Sequence, residues 1–157
     1  MSFLKIARTL SVALSLAITG VAVTMSTAHA DKPAVFVDHF QPAAAGGYDV
    51  TSFFTGTPVL GAAQFTAPHN GATYRFASAA NRARFVANPV AYAPQYGGYC
   101  AWAVSQNYTA PGRPQHWRVV DGKLYFNYSA EIQSRWEHNI PGFISRANTN
   151  WPNVLKK

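Results

Sequence analysis

The segment His116-Trp117-Arg118-Val119-Val120-Asp121-Gly122-Lys123-Leu124-Tyr125-Phe126-Asn127-Tyr128 constrains this chain more than any other. It sets two β-prone runs either side of an Asp-Gly pair, the signature of a tight primed turn. The chain must therefore double back on itself here as an antiparallel hairpin. Asn70-Gly71 is a second strong turn signal, with a short strand expected at Gln64–Thr66 and an alternating run from Ala72 to Phe76. Between these lie helix signals. Asp49 can cap a short helix through Val50–Phe54, which Gly56 and Pro58 end. Ser78 caps a second, with Ala79, Ala83 and Val86 on one face and Asn88-Pro89 as its stop. Ser129 caps a third, broken near Pro141, and a last helical segment carries Phe143, Ile144 and Trp151. Cys100–Val104 reads equally as helix or strand, because short apolar runs have no decisive period. No internal repeat and no linker is expected. The pattern predicts an α+β fold: a small single domain with a short antiparallel sheet or hairpins and several short helices.

The domain starts after a different kind of segment. Residues 1–30 read MSFLKIARTLSVALSLAITGVAVTMSTAHA, with Lys5 and Arg8 ahead of an apolar run and Ala28-His29-Ala30 behind it. A positive start, a short apolar core and small residues at a cleavage site make a secretory signal peptide, cut after Ala30. The run is short for a membrane span, which needs about 20 apolar residues. The expectation is a periplasmic or secreted protein of residues 31–157, with no membrane span after cleavage. The full chain carries a formal charge of +7. Its positive residues are scattered rather than gathered in the stripe that nucleic acid requires, so no nucleic-acid partner is expected.

Cys100 is the single cysteine, set behind Gly97-Gly98 in APQYGGYCAWAVSQ. An exported chain with one thiol has an intermolecular bond, a reactive sulfur or a buried small hydrophobe. The two glycines allow backbone to approach the sulfur, and Tyr96, Tyr99 and Trp102 are candidates for a pocket wall. No histidine is spaced to chelate with another. His116 is the best candidate ligand because it opens the hairpin, and His69, before a tight turn, is next. A papain-type reading fails, since Ala101 separates Cys100 from Trp102 and no room remains downstream for the partner residues.

The stretch GATYRFASAANRARFVANPVAY resembles the YHS domain, with Tyr74, Phe76, Ser78, Phe85, Pro89 and Tyr92 in register. GGYDVTSFF, YGGYCAWAVSQ, VDGKLYFNYS and NWP resemble the exported bacterial members of that family, some of them selenoproteins. The resemblance covers most of residues 31–157, with a YHS-like core at about 64–105. It implies metal binding, copper being the suggested ion. Here the positions of the two family thiols are Ala77 and Asn81, and a methyl group and an amide cannot replace two thiolates. Selenocysteine in relatives at the position matching Cys100 implies redox or soft-metal chemistry at this sulfur.

Together these features predict an exported YHS-type binding module that holds a metal ion or small ligand near Cys100, with no catalysis expected. A soft metal would need Cys100 with His116 or His69, because no other sulfur survives signal removal. The alternatives are a thiol redox protein using Cys100, or a structural domain in which Cys100 is inert.

Overall fold

Both turn signals fold as tight hairpins in the computed structural model, which describes residues 31–157. Asn70 and Gly71 have φ of 48° and 80°, and Asp121 and Gly122 have φ of 49° and 70°. These are the two successive positive values that a primed turn demands. The first turn joins β1 (Ala62–His69) to β2 (Ala72–Phe76), and the second joins β3 (Arg113–Val120) to β4 (Lys123–Asn127). Each pair is antiparallel and forms its own two-stranded sheet. The α+β architecture is as expected, and of the two forms expected for its strands the structure takes the hairpins.

Three helices start where their caps predict, behind Asp49, Ser78 and Ser129. A 3₁₀ helix, Val50–Thr55, starts where Asp49 accepts from the Thr51 N–H and ends at left-handed Gly56. α1 (Ala79–Ala87) is capped by Ser78, and α2 (Pro89–Tyr92) by Asn88. α3 (Ala101–Ser105) resolves the ambiguous segment as helix and places Cys100 at its cap position. α4 (Ala130–Glu137) is capped by Ser129. That helix ends at Glu137, just ahead of Pro141 as expected. Pro141 itself belongs to the next helix. It sits in the first turn of α5 (Ile140–Asn150), where its missing N–H costs nothing.

One expectation is overturned. The chain folds one supersecondary unit twice, at a constant offset with no gap (46 to 97, 71 to 122, 88 to 139). Ala45-Gly46-Gly47 and Tyr96-Gly97-Gly98 both run through three successive positive φ values. Tyr48 bridges Leu60 as Tyr99 bridges Pro111. Asp49 N donates to Val59 O, and Cys100 N to Ala110 O, both at 2.9 Å. The strand registers match pair for pair, Ala62↔Phe76 with Arg113↔Asn127 and His69↔Ala72 with Val120↔Lys123, and the irregularity falls at the same place in each. Ser78 and Ser129 cap α1 and α4, and Asn88 and Asn139 cap α2 and α5. Asp49 in the first half therefore corresponds to Cys100 in the second.

The halves interlock through β4, whose successive side chains face opposite ways. Leu124 and Phe126 join Phe53, Tyr74, Phe76 and Phe85 in one core, with the Phe53 and Phe126 rings 5.4 Å apart. Tyr125 faces the other core, with Trp136, Val104, Ala147 and Val154. Each buried ring of this size contributes about 1.5–3 kcal/mol, so neither half keeps its core without the other. The predicted face of α1 is also corrected. Ala79, Ala83 and Val86 are exposed, and Phe85 is the residue turned inward. Asn81, one turn before it, reaches Asp49, and that hydrogen bond orients the helix.

Candidate functional site

Cys100 enters its site from two directions. Its backbone N–H is held by Ala110 O, and its chain runs parallel to β4 through a bridge to Phe126. The sulfur then lies beside Asn127, the residue after Phe126. Cys100 Sγ donates to Asn127 Oδ1 at 3.7 Å, and the same oxygen accepts from Trp102 N at 3.2 Å. A thiol is a poor helix cap, so the amide of Asn127 supplies the acceptor that the start of α3 lacks. Cys100 is 1% exposed and unbonded to any other sulfur. Burial pushes its thiol up from the ordinary value, and N–H groups of Ala103, Tyr128 and Trp102 offset part of that rise. The resting group at neutral pH is the protonated thiol, consistent with its donation to Asn127.

The sulfur forms the floor of a cleft of about 200 Å³ walled by Trp102, Tyr108, Tyr128 and Ile132, with Ala103 and Ala110 between them. The Trp102 and Tyr108 rings meet edge to face at 6.3 Å. The lining is predominantly apolar.

Of the residues singled out from sequence, the structure brings only Cys100 and Trp102 to this cleft. Tyr96 turns to the far side, where its hydroxyl donates to Asn148 Oδ1 at 2.8 Å. Tyr99 donates to Pro33 O at 2.9 Å and lines another depression with Phe36 and His39. His69 packs its ring 5.7 Å from Phe85 and opens on a third cavity, shared with Tyr96 and Trp151. His116 lies within β3, in its irregular stretch before Trp117, not at a strand end. Neither histidine lines the cleft at Cys100. Among the described residues no group of three or more His, Cys, Asp or Glu side chains is placed to hold a metal ion.

Ala77 and Asn81 converge instead on Asp49. The Asp49 carboxylate is 0% exposed. Its Oδ1 accepts from Thr51 N at 2.9 Å and Thr51 Oγ1 at 2.8 Å, and its Oδ2 accepts from Ala77 N at 2.9 Å and Asn81 Nδ2 at 2.7 Å. Through the repeat, Ala77 and Asn81 correspond to Tyr128 and Ile132, two walls of the Cys100 cleft. Positions 77 and 81 on one side, and the lone cysteine with Tyr128 and Ile132 on the other, thus belong to one kind of site, built twice. Asp49, Asn127, Tyr108, Tyr128 and Ile132 escaped the sequence reading of the site. The signal that could have found them is the recurrence of Gly-Gly-Tyr at 46–48 and 97–99. Aligning those triplets sets Asp49 against Cys100.

Comparison with family models, with curated proteins and with solved structures finds no match to this chain. Among the described residues no helix is long and apolar enough to cross a membrane. The signal peptide expected at residues 1–30 lies outside the described residues.

Proposed function

We propose that the chain is an exported, non-catalytic YHS-type binding module whose ligand is a small apolar molecule seated in the cleft over Cys100. The observation that carries this reading is the contrast between matched positions. Where the first half fills its site with a carboxylate and four hydrogen bonds, the second carries Trp102, Tyr108, Tyr128 and Ile132 around an open space. An apolar cavity of about 150 Å³ is enough to take up benzene, so a single aromatic ring or a short aliphatic chain suits this cleft. A soft metal is the weaker form of the reading. Thiolate alone is a thin donor set for copper(I), and the two candidate histidines open elsewhere.

Indole is a suitable probe, read by the rate at which iodoacetamide alkylates Cys100 in the native protein. Saturating indole is expected to slow alkylation at least tenfold in the wild type and to have no effect in Ile132→Trp, which fills the cleft. Alkylation at the same rate with and without indole overturns the apolar ligand. Copper(I) affinity that is measurable against a competing chelator in the wild type and lost in Cys100→Ser would put a metal in its place. Modification only after unfolding marks an inert buried thiol.

A further inference from the structure

The site around Cys100 holds more hydrogen-bond donors than a thiol can use. Backbone N–H groups of Trp102, Ala103 and Tyr128 lie near enough to the sulfur to offset part of the rise that burial imposes, and that of Trp102 bonds to Asn127 Oδ1 beside it. Asn127 is 0% exposed, its Oδ1 touches the sulfur, and its Nδ2 has no hydrogen-bond partner among the described residues. A buried amide nitrogen left unpaired is costly enough that native structures rarely retain one without a use for it. The first half shows what such a set of donors accommodates. There the N–H groups of Thr51 and Ala77, which correspond to those of Trp102 and Tyr128, hold the two oxygens of the Asp49 carboxylate. Asn81 Nδ2 adds a side-chain amide to the same anion.

A cysteine sulfinate carries what an aspartate carries: one negative charge shared by two acceptor oxygens on the atom beyond Cβ. We infer that Cys100 is an oxidation site, at which hydrogen peroxide converts the thiol stepwise to a sulfinate held in the cradle that its counterpart uses for a carboxylate. In the first step the thiol gives up its proton and the thiolate attacks one peroxide oxygen. The S–O bond forms, the O–O bond breaks, and the departing hydroxide takes the thiol proton and leaves as water. Sulfur is oxidised by two electrons and becomes a sulfenic acid. A second peroxide repeats the exchange, giving sulfinate, a second water and a proton released to solvent. With no other cysteine in the chain, no internal disulfide intercepts the sulfenic acid.

Oxygen at the sulfur also resolves the two awkward bonds of the reduced site. Trp102 N, now paired with Asn127 Oδ1, can donate to a sulfinate oxygen as Thr51 N does to Asp49. A half-turn of the freed amide then presents Nδ2 to the other oxygen. The cleft above the sulfur is wide enough to admit peroxide. Only the cradle is needed for this chemistry, whether or not a ligand ever occupies the cleft.

The test treats the full mature chain with hydrogen peroxide, without ligand, and locates the adduct by mass spectrometry of peptides. The expected product is Cys100 with two added oxygens, stable to a further excess of peroxide, in protein whose melting temperature is held or raised. Cys100→Asp, which writes the first half's residue into the second, is expected to fold and to melt within a few degrees of Cys100→Ser. Three results would overturn the inference. These are no uptake by the folded protein at peroxide levels that oxidise the denatured chain, passage to three oxygens without a pause at two, and oxidised protein that unfolds while Cys100→Ser stays folded.

Discussion

The first half closes its helix start with charge, and the second leaves the same place lined with aromatic carbon around a thiol. At residues 49–52 a buried carboxylate accepts from two backbone N–H groups, a hydroxyl and an amide, and nothing is left over. At residues 100–103 the thiol caps nothing, Asn127 caps in its stead, and Asn127 Nδ2 is orphaned among the described residues. The two halves share strand register and cap positions, although Val50–Thr55 is a 3₁₀ helix where α3 is an α-helix, and at the helix start itself the difference lies chiefly in the side chains. The first half is a finished structural unit, and the second is the same unit held open.

That contrast makes the sharpest prediction an unequal response to removing the two cap-position groups. Asp49→Leu leaves the buried N–H and hydroxyl of Thr51, and the part-buried donors of Ala77 and Asn81, without their acceptor. Each buried donor left unpaired costs roughly 1–3 kcal/mol, so a loss on the order of 3–5 kcal/mol in unfolding free energy is expected. Cys100→Ala removes one sulfur that bonds weakly and packs modestly, with an expected loss of about 1–2 kcal/mol. Urea unfolding of both variants decides the matter. Equal losses would mean that the two sites are finished in the same way and would remove the basis for treating the second as open.

The local signals were legible because they are written in single residues. Asp121-Gly122, Asn70-Gly71, Ser78 and Ser129 each act through their own backbone or the next turn, and each does in the fold what its type implies. The duplication was hidden because what recurs is backbone conformation, while matched positions carry unlike side chains. Ala45 and Tyr96 share the same left-handed conformation, while Asp49 is matched by Cys100, Phe76 by Asn127, and Asn81 by Ile132. The face of α1 was misread for a related reason. Apolar spacing favours Ala79, Ala83 and Val86, but the face that packs is the one carrying the Phe85 ring, with Asn81 one turn earlier bonded to a buried carboxylate. Cys100 could be singled out by its solitude. The cleft above it could not, since Tyr108, Tyr128 and Ile132 reach it from a loop, the end of a hairpin and a helix.

The two Gly-Gly turns offer a second way to separate the halves. Gly46 and Gly97 have φ of 58° and 60°, so an alanine at either carries the same conformational penalty of about 1–2 kcal/mol. Their surroundings differ. A Cβ on Gly46 would lie 3.3 Å from the ring of Pro114, a tight contact without overlap. A Cβ on Gly97 would fall on the backbone carbonyl of Ala34, in the N-terminal arm whose Phe36 N–H donates to Gly97 O. Gly97→Ala is therefore expected to lose about 2–4 kcal/mol and to release the arm, visible as faster amide exchange at Phe36. If Gly46→Ala proves the more damaging, the arm is not what distinguishes the second turn.

The helix caps should show the smallest effect on stability and the clearest difference in consequence. Ser78 Oγ accepts from Asn81 N at 3.1 Å and Ser129 Oγ from Ile132 N at 3.2 Å. Loss of such a cap costs about 1 kcal/mol, so Ser78→Ala and Ser129→Ala are expected to lower stability almost equally. The two helix starts nevertheless respond differently once the cap is gone. In α1 the first turn stays tied down, because Asn81 Nδ2 and Ala77 N still bond to Asp49. In α4 the position of Asn81 is taken by Ile132, an apolar wall of the cleft over Cys100 that can form no such tether. Fraying of that turn withdraws the wall and exposes the sulfur. Ser129→Ala is thus expected to speed alkylation of Cys100 several-fold, with Ser78→Ala leaving the rate at the wild-type value. Matching rates in the two variants would show that access to the thiol is governed from somewhere other than the start of α4, and Tyr108 and the loop that carries it would be the place to look.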